Sequence, residues 1–298
     1  MTSQAAVHDE VIVILALIDP EIDPKPVRDA FLFTENLYHG RFSGYKACNA
    51  DYHDFRHITD TYLAMARLIH GAVLEGEVFS RRYIILGLIS ALLHDSGMIS
   101  QEGEPEGPGG RYVKEHVQRS MDFAGRHAAE LGVSLPEVEI VRTMILCTDL
   151  AADISAIHFS SPAVEMLGKM LATADLLGQM ADRNYLEKLL FLFHEFREAE
   201  MGEARDEIDF LHNTLHFYEF CDQRFNDTLA ETCRFMVPHF HKRWNIPYNL
   251  YLDSLNKQRA FLRKILADHH CSPYEQLKRS DIVEKVRGKF GSHGLKEG

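Results

Sequence analysis

Residues 83–95 read Tyr-Ile-Ile-Leu-Gly-Leu-Ile-Ser-Ala-Leu-Leu-His-Asp. Eleven nearly unbroken apolar residues are followed at once by His94-Asp95. An apolar run of this length without alternation predicts a helix buried on all sides. Asp95 then falls where a carboxylate is costly unless it is paired or bound to a cation. A metal ion is the simplest partner for it.

Outward from this run, residues 51–60 read Asp-Tyr-His-Asp-Phe-Arg-His-Ile-Thr-Asp. His53 and His57 are four apart, so on a helix they would project from one face. Thr61 to Leu74 carries Tyr62, Met65, Leu68, Ile69 and Ala72 at three- and four-residue steps, a helical pattern. A third element, Met170 to Met180, is apolar and carries one acid, Asp175. By the argument applied to Asp95, this acid wants a cation; the alternative is an ion pair with Arg142 or Arg183. His57, His94, Asp95 and Asp175 together would make a metal site.

Helical periodicity continues over Val113–Leu131, Leu135–Cys147, Val164–Met180 and Tyr185–Ala199, with starts marked by Ser161-Pro162 and Leu135-Pro136-Glu137. No run alternates as a strand would, so the expected fold class is all-α. Val11–Ile18 reads as an early core helix ended by Asp19-Pro20, too short to cross a membrane. The loop Gln101–Gly110 has four glycines and two prolines; it is either a mobile lid or a solvated connection. Phe240–Trp244 and Asn245–Tyr248 read as a turn between helices, and residues beyond about 285 as a frayed polar tail. The expected division is 1–44, an N-terminal helical segment; 45–205, a metal-binding core; and 206–298, a helical extension with its tail.

The 298 residues are 46% hydrophobic and 26% charged, with a formal net charge of −12. That composition supports a globular core. The acidity disfavours nucleic acid, whose binding rests on Lys and Arg neutralising phosphates, but leaves room for a small phosphorylated ligand when a metal supplies positive charge. Five widely spaced cysteines without a C-x-x-C pair suit a reducing cytoplasm. The expectation is a cytoplasmic protein without membrane or nucleic-acid partners.

Tyr52-His53-x-x-x-His57, Leu93-His94-Asp95 and Ala174-Asp175-Leu176 resemble, in that order, the motifs of the HD-domain metal-dependent phosphohydrolase superfamily. The resemblance covers roughly residues 45–200 and is closest to its cyclic-nucleotide phosphodiesterase-like branch. Ile145-Leu146-Cys147-Thr148-Asp149 stands where that branch has Leu-Ala-Thr-Asp, and Glu115-His116 matches a Glu/His-bearing helix. The resemblance implies a multi-helix HD-domain bundle with a C-terminal helical extension. It implies that His57, His94, Asp95 and Asp175 hold a divalent metal (Mn, Mg, Fe, Co, Ni or Zn), with Asp95 reaching toward a second site.

His53 would then be the general acid and a metal-activated water the nucleophile on a nucleotide or other small phosphoester. Asp95 would share in catalysis by joining the two sites. Glu115, His116, Thr148, Asp149 and Arg56 would orient waters or substrate. The chain departs from the phosphodiesterases at Asp54, where they have Asn, and at Met98, where they have a further His. Two other readings share the cage: a di-iron oxygenase of the same superfamily, for which His116 is the plausible extra ligand, and a non-catalytic module that senses a ligand.

Overall fold

The computed structural model describes residues 3–291. Among them are thirteen α-helices and no strand; an isolated bridge joins Tyr45 to Gln101. The fold is an all-α multi-helix bundle.

Its axis is α3 (Phe55–Leu74), which packs against α1 (Gln4–Ile18), α4 (Arg81–Leu93), α7 (Pro162–Met180) and α10 (Met236–Trp244). Every residue of α4 from Ile84 to Leu93 is buried, as its all-round apolarity requires. α2 (Lys25–Tyr38) and α6 (Leu135–Leu146) close over α4, while α5 (His116–Arg126) lies on α6. Polar side chains fix where these helices begin. Ser80 caps α4, Asp54 caps α3 by accepting from the His57 amide, and Ser161 caps α7 with Pro162 in the first turn. Ser134 and Glu137 form a capping box on α6, and Glu137 also receives Arg82 from α4.

The cap at Asp54 changes the reading of His53. It lies before the helix rather than on it, so the two histidines share no helical face. The helix expected over Val113–Leu131 is shorter, since α5 begins only at His116 and ends at Arg126. Gln101–Gly110 is tied down at several points. Glu104 accepts from Tyr112, Arg119 and the Gln101 amide, Asn49 donates to the Gly107 carbonyl, and Glu198 accepts from the Gly110 amide.

α8 (Tyr185–Glu198) follows α7, and α9 (Glu207–Asn226), α10, α11 (Leu250–Ala267), α12 (Pro273–Gln276) and α13 (Ile282–Phe290) complete the chain. Phe240–Trp244 is the last turn of α10, not an interhelical turn; the break comes at Asn245, in the left-handed region at φ 54°. Residues 285–290, expected to fray, belong to α13, whose Phe290 stacks on His194 at 3.7 Å and whose Lys289 pairs with Asp51. The rest of the expected tail, residues 292–298, lies outside the described residues.

Candidate metal centre

Three helices deliver the four expected ligands to one point. His57 comes from the first turn of α3, His94 and Asp95 from the end of α4, and Asp175 from the middle of α7. α7 reaches α3 this closely because Gly178 faces its backbone: a Cβ there would lie 3.0 Å from the Thr61 amide nitrogen. His57 Nε2 is 3.2 Å from His94 Nε2, 3.2 Å from Asp95 Oδ2 and 3.1 Å from Asp175 Oδ1. His94 Nε2 is 3.4 Å from Asp95 Oδ2 and 3.5 Å from Asp175 Oδ1. Donors bound to one ion at about 2.0–2.2 Å sit roughly 3–3.5 Å from their neighbours. His57, His94 and Asp175 form a mutually close candidate metal-binding group, and Asp95 lies against both imidazoles.

Without an ion, the two carboxylates and two imidazoles of the cluster offset one another's charge. Burial alone would raise the Asp95 and Asp175 carboxyls, but the two imidazoles hold both below the usual carboxylate range. Burial alone would lower the imidazoles, but the carboxylates raise His57 to about 9 and His94 well above its usual value. Asp95 Oδ2 is buried without a hydrogen-bond partner, a site a metal would satisfy. The ring orientation is also preset. His94 Nδ1–H donates to the Ala91 carbonyl at 2.9 Å, which directs Nε2 at the centre, where a metal would take the place of its proton. Gln179, one turn beyond Asp175, donates to Asp175 Oδ1 at 3.3 Å and accepts from the Tyr52 hydroxyl at 2.6 Å. The donor set therefore fits a divalent metal.

One side of the centre is open. His57 and His94 are almost fully buried, whereas the side chains of His53, Asp175 and His116 are 12%, 14% and 20% exposed. His53 stands there with its ring 6.0 Å from that of His57 and 5.7 Å from that of His116. Its Nδ1–H donates to Glu195 Oε2 at 2.6 Å, and Glu195 Oε1 accepts from the Tyr52 amide at 2.7 Å. Burial lowers the His53 pKa, but the charge and hydrogen bond of Glu195 outweigh it, and the net shift is upward. His116 Nδ1–H donates to the Val113 carbonyl at 2.7 Å, and its Nε2 lies 3.4 Å from Asp95 Oδ1. Burial, the largest effect, keeps this ring below its usual pKa. Asp95 thus shows one oxygen to the His57–His94 pair and the other to His116.

The remaining expected residues have other partners or surroundings. Glu115 is exposed at the start of α5. Thr148 donates to the Ile145 carbonyl, and the Asp149 carboxylate accepts from the Ala151 amide, so both serve the end of α6. Arg56 turns away to Asp182 at 3.2 Å and Asp60 at 3.6 Å. Met98 is buried in a small apolar cluster with Ala50, Tyr112, Val113 and Ala199. Arg142 pairs with Glu139 rather than Asp175, and Arg183 offers its carbonyl to Arg279.

Glu195 and Gln179 were not anticipated. Glu195 had a signal: it is an acid at the end of the apolar run Leu189-Leu190-Phe191-Leu192-Phe193, the same pattern that marks Asp95. Gln179 sits four residues after Asp175, within reach on one helix face. No family model, curated protein or solved structure matches this chain.

Proposed function

We propose that the chain is a metal-dependent phosphohydrolase of the HD type, acting on a nucleotide or another small phosphoester. The observation that carries the reading is the placement of a carboxylate-held histidine, His53 on Glu195, at the open side of the His57–His94–Asp95–Asp175 cluster. A purely structural metal would need no such acid beside it. A divalent ion held by those four residues would polarise the phosphoryl group and lower the pKa of a bound water.

The protein groups do the rest. Glu195 fixes the His53 tautomer, so that Nε2 carries the lone pair or proton facing the substrate. It also keeps the ring protonated nearer neutrality, as a general acid for the leaving oxygen requires. Tyr52 and Gln179 tie the loop that carries His53 to the helix that carries Asp175. All five cysteines are unpaired, in keeping with a reducing cytoplasm.

A second metal, held from Asp95 Oδ1 and His116 Nε2, is favoured by their 3.4 Å approach. With iron in both positions the same cage would suit an oxygenase. The test is purified protein loaded with Mn²⁺, Mg²⁺, Co²⁺, Ni²⁺ or Fe²⁺ against a panel of nucleotides and phosphoesters. Metal-dependent hydrolysis abolished by His94→Ala and by Asp175→Ala is expected. Hydrolysis that survives both substitutions overturns the proposal, and oxygen uptake with two irons per chain replaces it by the oxygenase.

A further inference from the structure

One cavity of the molecule lies apart from the metal centre. A cleft of about 320 Å³ opens between α3, α10 and α11, lined chiefly by Arg67, Phe240, Trp244, Ile246, Leu250 and Tyr251. Its volume is at the lower end of the range of about 300–1,000 Å³ typical of small-molecule sites. Arg67 lies ten residues beyond His57 on α3, which places it roughly 15 Å further along that helix. The cleft is therefore a separate place from the centre described above.

Its polar chemistry is concentrated in one group. Arg67 Nη1 donates to the Tyr251 hydroxyl at 2.8 Å, and its guanidinium lies 5.5 Å from the Phe240 ring centroid and 5.6 Å from that of Tyr251. Among the described residues no carboxylate comes within ion-pair distance of it. Its Nε is buried without a hydrogen-bond partner. By contrast, the other arginines of this region have acids: Arg243 pairs with Glu10, and Arg259 with Asp222. A partly buried guanidinium without a counter-ion is costly. Trp244 stands at the rim with 47% of its surface exposed. A planar cation flanked by ring faces suits a ligand that combines an anionic group with an aromatic ring.

We propose that this cleft binds a small aromatic acid, its anionic group on the Arg67 guanidinium and its ring against Trp244. The site stands whether or not the metal centre hydrolyses phosphoesters.

Trp244 is the chain's only tryptophan, so its fluorescence reports on this cleft alone. The probe is 4-nitrobenzoate, whose nitroarene quenches indole emission, compared with the neutral 4-nitrobenzyl alcohol. Saturable quenching by the acid is expected, weakened at least about tenfold for the alcohol and for Arg67→Met, the loss of a charged hydrogen bond. Arg67→Lys should retain part of the affinity. Quenching that rises linearly with concentration, or that is equal for acid and alcohol, overturns the proposal. The comparison of the two ligands on the unaltered chain decides the matter even where Arg67→Met fails to fold.

Discussion

Glu195 holds His53 across 142 residues of sequence, carboxylate to imidazole at 2.6 Å. The same carboxylate takes the Tyr52 amide, so it sets both the backbone and the ring of this segment. Its charge is what lifts the His53 pKa against the opposing effect of burial. Glu195→Gln should therefore drop that pKa toward or below about 6.5, seen directly by NMR titration of the ring. In the hydrolytic reading it also lowers turnover by roughly 10- to 100-fold and moves the alkaline limb of the pH–rate profile to lower pH. A His53 pKa unchanged in the variant would show that Glu195 does not set its protonation.

The two buried carboxylates of the centre predict that the protein is purified with metal or binds it avidly. Metal analysis should find about one tightly held divalent ion per chain, and a chelator should lower the melting temperature. At a free metal concentration 100 times Kd, the linkage is worth about 2.7 kcal/mol. Asp175→Asn should weaken binding at least about tenfold. A melting temperature indifferent to chelator and to added metal would argue for an ion-free cluster.

Gly97 sits where α5 presses on the turn after Asp95. A Cβ at this position would lie 2.1 Å from the His116 carbonyl oxygen. Gly97→Ala should cost about 1–3 kcal/mol, the range for overpacking a close contact, read as a lower denaturation midpoint. Because the displaced residue is His116, the variant should also lose any second metal while keeping the first. Wild-type stability and metal content would mean that α5 yields without consequence.

His70 and His239 form a buried pair, Nδ1 to Nδ1 at 2.9 Å, where α3 meets α10. Burial, reinforced by nearby Arg67, Arg243 and Lys242, lowers His70 to about 4 and His239 to about 3. Both are neutral in the folded protein, whereas the unfolded chain takes up protons below about 6.5. Their contribution to stability is thus present above about pH 6.5 and is lost as the pH falls toward 4. Replacing both with leucine should flatten the dependence of melting temperature on pH across that window. An unchanged slope would assign the acid sensitivity to other groups.

Much of the centre was legible because a charge in an apolar helix is conspicuous. Asp95 and Asp175 stand out by that argument, His94 by its adjacency to Asp95, and His57 by its four-residue spacing from His53 and the family resemblance. For His53 the expected helical face shared with His57 does not exist, since Asp54 begins the helix after it, while its proposed role rests on the family resemblance. Tertiary packing brings its ring to the place that local geometry was expected to provide. Thr148 and Asp149, expected to orient waters or substrate, also supply partners for the last carbonyls and loop amides of α6, a local role their sequence does not announce. The aromatic and basic content of Phe240–Trp244 hid a helical turn whose period is only visible once α3 is beside it.

α7 carries Asp175, Gln179 and, just past its end, Asp182, which receives Arg56 and Lys188. Each inserted residue would turn everything beyond it by about 100°. A single insertion between Asp175 and Asp182 would therefore part the ligand from the groups that steady it, even if every side chain were retained. The loop over residues 149–160 carries none of these contacts to the centre. An insertion there would leave the register of Asp175, Gln179 and Asp182 intact, whereas one within those seven residues would break it, so the reading frame of one helix limits where this chain can grow or shrink.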